Sequence, residues 1–152
     1  GMSERLVNSS TALMGLFDST IFSGTNYLTP ELEKKIKKAF EAMDLVLASN
    51  EIRSNDPVLH EELIQGLLSK YDFIEAAWSN DEKGQFLVSI PPAGIANANV
   101  RDWFRESSAG RKYVSGVYIS AITKNTCITV SGPIVDRGGI ITGVIGFDIR
   151  LT

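Results

Sequence analysis

Residues 127–149 read CITVSGPIVDRGGIITGVIGFDI. Two apolar runs, Cys127 to Ile134 and Ile140 to Ile149, flank Asp136-Arg137-Gly138-Gly139. Runs of that kind on either side of an Asp- and Gly-rich turn form a β-hairpin. Side chains alternate between the faces of a strand. Ile145, Phe147 and Ile149 therefore make one row, facing the core, and Val144, Gly146 and Asp148 the other. An aspartate in so apolar a strand needs a partner, because an unpaired buried charge is costly. A ligand ammonium, Arg101 or a lysine would each serve.

Upstream, the pattern adds three strands. Val114 to Ala121 joins the hairpin through a turn at Lys124-Asn125, and Phe73 to Ser79 and Gln85 to Ile90 flank the loop Asn80 to Gly84. Pro91-Pro92 ends that second hairpin. Asn99 is placed to cap a short helix from Val100 to about Ser107, closed by Gly110. The first half of the chain has a helical period instead. Over residues 4–22, Leu6, Leu13, Leu16, Phe17, Ile21 and Phe22 fall near helical spacing, and Ser23-Gly24-Thr25-Asn26 breaks the segment. A second helix starts with Thr29 as N-cap, Pro30 in the first turn, and Glu31 and Glu33 at its positive end. Leu32, Ile36, Phe40, Met43 and Leu47 form its apolar stripe, while Lys34, Lys35, Lys37 and Lys38 face water. Asp56-Pro57 opens a third helix that buries Leu59, Leu63, Ile64, Leu67 and Leu68.

The expected fold is α+β: long N-terminal amphipathic helices packed on one face of a five-stranded antiparallel sheet. Residues 3–152 form one domain, helical over 3–70 and sheet over 71–152. Gly1-Met2 reads as a remnant of expression, so the natural protein is expected to extend beyond one or both ends.

Composition removes several classes of function. The chain has 152 residues, 43% hydrophobic and 22% charged, which suits one globular domain. Its net charge of −3 and the lack of a basic stripe argue against nucleic acid as a partner. A single cysteine, Cys127, excludes an internal disulfide and a multi-thiolate metal site, and a single histidine, His60, leaves little for a zinc site or a Ser-His-Asp triad. No metal or cofactor is expected. Cys127 reads as a buried, inert thiol, and His60, on a glutamate-rich helix, as solvent-exposed. There is no GxGxxG after a strand, no Walker loop and no GxSxG elbow. Asp148 with Asp136 or Asp102 is the remaining acid–base arrangement, but a turn and a first helical turn already explain Asp136 and Asp102, so no enzyme is expected. No run of about 18 apolar residues exists, so the chain as given neither spans a membrane nor carries a secretory signal core.

One constellation has more chemistry. Arg101-Asp102-Trp103-Phe104 sets a guanidinium and two aromatic rings on the short helix. Arginine clasps a carboxylate bidentately, and a tryptophan adds an N–H and an apolar wall. Tyr118 follows on the next strand, on the face of Gly116 and Ser120.

From Tyr71 to Leu151 the sequence resembles the Cache sensor modules, PAS-like and of PDC type, found outside the membrane in bacterial chemoreceptors, histidine kinases and diguanylate cyclases. The resemblance rests on Arg101-x-Trp103-Phe104, on Val117-Tyr118-Ile119-Ser120 and on the run Ile128 to Ile134. It continues through Val135-Asp136, Gly138-Gly139 and Gly143 to Ile149. It implies a PAS-like sheet. By matching the positions of the amino-acid-binding members, it also implies that Arg101 and Trp103 hold a ligand carboxylate and that Tyr118 and Asp148 hold its amine. Phe104 fills the adjoining aromatic place, and Ser120 and Trp78 complete the candidate set. Ala96 stands where those members carry an aromatic residue, which leaves room for a different amine or a carboxylate. The loop from Pro91 to Asn99 would be a lid.

The implied function is extracytoplasmic: a periplasmic or extracellular part of an inner-membrane receptor that binds a small carboxylate-bearing ligand, either an amino acid or a related amine or organic acid. The signal would leave through the N-terminal helix, whose Leu6, Leu13 and Phe17 offer a homodimer seam. The alternative is a ligand-free module that only spaces and dimerises signalling parts. It expects Arg101 and Asp148 to pair with each other or with protein groups, and it expects no cavity.

Overall fold

The structure, a computed structural model, describes residues 21–22, 29–120 and 123–151. Thr29 opens helix α1 (Pro30–Leu47) as the sequence predicts, its Oγ1 accepting the Leu32 N–H at 3.1 Å. The helix buries Ile36, Ala39, Phe40, Ala42 and Met43. Lys34, Lys37 and Lys38 face solvent, whereas Lys35 turns back and its Nζ donates to the Arg150 carbonyl at 3.1 Å. A helical turn, α2 (Asn50–Arg53), follows behind a Ser49 cap; so short an element leaves no periodicity to read. Asp56 then caps α3 (Pro57–Lys70), accepting the Val58 N–H at 3.0 Å.

The strands are β1 (Ile21–Phe22), β2 (Ile74–Asp81), β3 (Phe86–Ile90), β4 (Tyr113–Val114), β5 (Tyr118–Ile119), β6 (Thr126–Val135) and β7 (Ile141–Arg150). They lie in the order β1-β4-β6-β7-β2-β3, with β5 also paired to β6. All five expected strands are present. The one expected over 114–121 is split into β4 and β5, because Ser115 enters the ladder with its side chain. Its N–H donates to the Thr129 carbonyl, and its Oγ, rather than a backbone carbonyl, accepts the Thr129 N–H, both at 2.9 Å. Ile21–Phe22 is not the end of a helix but pairs in parallel with β4, satisfying backbone groups that an edge strand would leave open. The rest of the 4–22 segment, with Leu6, Leu13, Leu16 and Phe17, lies outside the described residues.

Alternation along β6 and β7 sorts the molecule into two faces. Ile128, Val130 and Ile134 of β6 and Ile145, Phe147 and Ile149 of β7 join Ile36, Phe40 and Met43 of α1 and Ile64 of α3 in the main core. His60 belongs to that core too, at 0% exposure, which corrects the expectation of a solvent-facing residue. Its Nε2 lies 2.8 Å from the Ile52 carbonyl and its Nδ1 2.8 Å from the Ser79 hydroxyl. A carbonyl only accepts, so Nε2 carries the proton and Nδ1 accepts from Ser79. Burial holds the His60 pKa below its ordinary value.

The remaining helix, α4 (Asp102–Ser108), departs from the expected arrangement in two ways. It packs on the opposite face of the sheet, where Phe104 joins Ala98 and Val144. Its N-cap is Arg101, without a side-chain cap, while the Asn99 N–H is taken by Asn97 Oδ1 at 2.8 Å. Gly110, with φ at +99°, closes it as predicted.

Candidate functional site

The second face of the sheet is built from the other alternate residues: Thr129 and Ser131 on β6, Gly146 and Asp148 on β7, and Trp78 on β2. Thr129 and Asp148 are directly opposed across β6 and β7. The Thr129 hydroxyl donates to Asp148 Oδ1 at 2.7 Å, the Ser120 hydroxyl to Oδ2 at 2.7 Å, and the Tyr118 hydroxyl more weakly to Oδ1 at 3.4 Å. Tyr118 and Thr129 are themselves in close hydroxyl contact. Asp148 is 1% exposed, and no cation reaches it among the described residues. Desolvation raises its pKa above the usual carboxylate value, against the pull of the Thr129 and Ser120 hydrogen bonds. Burial and the Asp148 charge raise the Tyr118 pKa as well. The same two causes push the Cys127 thiol up to about 12, in keeping with the inert thiol expected there.

Trp78 is opposed to Gly146 across β2 and β7, and its indole lies on the glycine. A Cβ at position 146 would come within 2.6 Å of the indole ring, so only glycine leaves room for it. Trp103 of α4 meets Trp78 at a centroid distance of 5.2 Å and an angle of 55°, and meets Phe86 at 6.4 Å and 62°. The α4 helix is held there by side-chain hydroxyls: Ser107 and Ser131 are 2.8 Å apart, and Ser131 also donates to the Trp103 carbonyl at 3.0 Å. Arg101, at the N-cap, is exposed and has no ion pair or side-chain hydrogen bond to any described residue.

These groups enclose a cavity of about 490 Å³. Of the residues singled out in the sequence, Arg101, Trp103, Tyr118, Ser120, Asp148 and Trp78 all line it. Phe104 does not: at 5% exposure it packs behind Trp103 and supports the wall from the back. Sequence reasoning missed Phe86, Ile95, Tyr113 and Ser115 on the wall, and Thr129 beneath Asp148. Thr129 was open to discovery through the β6–β7 register, whereas nothing local marks Ile95.

The loop expected to be a lid is pinned at its C-terminal end. Ala98 N–H donates to the Gly84 carbonyl at 2.8 Å and Asn97 Nδ2 to the Lys83 carbonyl at 3.1 Å.

Of the two partners considered for Asp148 in acid–base work, Asp102 shares its cavity and Asp136 does not. Asp136 Oδ1 is spent on the Gly138 and Ile140 N–H groups of its own turn, and the exposed Asp102 is bound to Arg105 at 2.9 Å. No helix among the described residues is long and apolar enough to cross a membrane.

Comparison with known proteins agrees with this architecture. The ligand-binding domain of the Pseudomonas fluorescens chemoreceptor CtaA, solved in complex with L-alanine, superposes with a TM-score of 0.57 at 22% identity, over 76% of this chain and 53% of that one. The ligand-binding domain of the Pseudomonas aeruginosa PAO1 amino acid chemoreceptor PctC, in complex with GABA, gives 0.59 at 19% identity, over 79% and 55%. The extracellular domain of the putative histidine kinase rpHK1S-Z16 gives 0.65 at 17% identity, over 77% and 50%. The chain thus spans about half the length of these solved domains. A curated protein of Syntrophus aciditrophicus (strain SB) named Citrate (Re)-synthase is 27% identical over an alignment 159 positions long, gaps included, that covers 84% of this chain but only 25% of that protein. So partial a match does not bring the name with it. Residues 64–152, more than half of the chain, match the family described as methyl-accepting chemotaxis protein-like, first PDC sensor domain, and to that family the chain belongs.

Proposed function

We propose that this domain senses a small zwitterionic or carboxylate-bearing ligand, an amino acid or a related amine or organic acid, for a transmembrane signalling receptor, outside the membrane. The observation that carries the reading is the pair Arg101 and Asp148. They are opposite charges on one cavity of about 490 Å³, and neither is neutralised by a charge of the described protein. A ligand carboxylate on Arg101 and a ligand cation towards Asp148 complete both, and Trp103 and Tyr118 flank them. Such a ligand shifts a signalling equilibrium by its differential affinity for two states of the domain. The output passes through the N-terminal helix, and the homodimer seam proposed for it involves residues outside the described part.

The ligand-free alternative expects Arg101 and Asp148 to pair with each other or with protein groups, and no cavity beside them. Asp148 does pair with protein hydroxyls, as that alternative allows, but among the described residues the Arg101 side chain has no partner, and both residues line a cavity.

A thermal-shift screen of amino acids, amines and small carboxylates, run beside Arg101→Ala, tests the reading. A ligand at about 100 times its dissociation constant adds roughly 2.7 kcal/mol of stability. Loss of a charge-assisted carboxylate contact weakens binding about 10- to 100-fold, so the shift should largely vanish in the variant. If no compound stabilises either protein, the ligand-free reading takes its place.

A further inference from the structure

We infer that the cation this cavity takes is N-methylated, a tertiary or quaternary ammonium carried on a carboxylate rather than a primary ammonium. The inference rests on the function proposed above and names its ligand class.

It follows from counting acceptors. A carboxylate has about four lone-pair sites. Two hydroxyls donate to Asp148 at 2.7 Å, Thr129 to Oδ1 and Ser120 to Oδ2, and Tyr118, whose proton is shared with Thr129, stands 3.4 Å from Oδ1. A primary ammonium brings three N–H donors, and each of them, once buried, needs an acceptor of its own. The side-chain hydroxyls beside it are engaged. Ser115 Oγ accepts the Thr129 N–H and donates to the Gly116 carbonyl, and Thr129 Oγ1 is shared with Tyr118. The site therefore offers a cation the negative charge of Asp148 but few free lone pairs. A methylated ammonium keeps the charge and drops the N–H groups.

The walls point the same way. Trp78, Trp103, Tyr113 and Tyr118 line the cavity together with Phe86. Trp103 meets Trp78 at 55° and Phe86 at 62°. The π-faces of such a wall attract a cation without hydrogen bonds while its methyl groups bury against them. Arg101, exposed and without a side-chain partner among the described residues, is left for the carboxylate.

The test is calorimetric titration of the chain with two matched pairs: glycine against N,N,N-trimethylglycine, and 4-aminobutyrate against 4-trimethylammoniobutyrate. Two spacings keep chain length from deciding the outcome. The expected result is that, at the spacing that binds, the trimethyl form binds at least about tenfold tighter than its primary amine. Trp103→Leu and, as a second variant, Phe86→Leu should each reduce that ratio, with circular dichroism confirming the fold, while Arg101→Ala weakens both forms alike. Equal or tighter binding of the primary amines overturns the inference and leaves the proposed function standing. A methyl preference that survives both ring variants overturns the role given to the rings. Binding of neither form, with no Arg101-dependent carboxylate in the wider screen, overturns the inference and the proposed function together.

Discussion

Asp148 is a buried carboxylate with no cation beside it among the described residues, so its burial works against the stability of the domain. The sign follows from linkage: desolvation raises its folded-state pKa above the unfolded value, and ionisation therefore favours the unfolded chain. Its unfavourable contribution is absent below about pH 3.9, the ordinary aspartate value. It grows as pH rises through the raised folded-state value and is constant above it. Asp148→Asn removes the charge but keeps the shape and an acceptor oxygen. The variant is expected to melt higher than wild type at neutral pH, with the difference closing below about pH 4. It should also lose response to any cationic ligand that stabilises the wild type. Thermal melts across pH check both halves, and a lower melting temperature at pH 7 would show that the hydroxyl bonds outweigh the burial. Such a trade of stability for a charged site is what a binding residue shows and a purely structural one does not.

Helices α1 and α3 are legible in the sequence because their signals are local: a cap at Thr29 or Asp56, a proline in the first turn and a period near 3.6. The two long hairpins are legible for the same reason. What the sequence hides is set by contacts between distant elements. Nothing near Ile21–Phe22 announces a pairing with Tyr113–Val114, and nothing near α4 says which face of the sheet it covers. The candidate site divides along the same line. Arg101, Trp103 and Asp148 stand out by residue type, but Thr129, Tyr113 and Ile95 reach the site through strand register and loop path. His60 is the sharpest case, since its helix looks polar while its ring spans from Ile52 to Ser79 inside the core. Burial lowers its pKa, so protonation favours the unfolded state: the stability this neutral ring provides is intact above about pH 6.5 and is lost as pH falls from there through the lowered folded-state value. His60→Gln keeps a donor for the Ile52 carbonyl and an acceptor for Ser79 without titrating. Its denaturation midpoint should vary less between pH 7 and pH 5 than that of wild type, at a cost of about 1–2 kcal/mol at pH 7. Parallel pH profiles for the two proteins would assign the acid limb to some other group.

Strands β6 and β7 each present one row of side chains to the helical core and the other to the cavity, so a change at Asp148 is carried by strands already packed against α1. Two residues past Asp148, the Arg150 carbonyl accepts from Lys35 Nζ in the second turn of α1, at 3.1 Å. This bond ties the end of the ligand-facing strand to the beginning of the long helix, the direction in which a signal must leave if the helices before the sheet carry it. A coupling of this kind needs an element that both sites bias, not mere adjacency. Lys35→Met keeps the length and apolar stem of the side chain and removes the donor. Ligand affinity should stay within about twofold, because Lys35 lies outside the cavity. Ligand-induced hydrogen-exchange protection is expected to reach the first two turns of α1 in wild type and to stop at the sheet in the variant. Equal protection of α1 in both proteins would place the coupling in the apolar packing of Ile36 and Phe40 against the sheet, where one polar bond is dispensable.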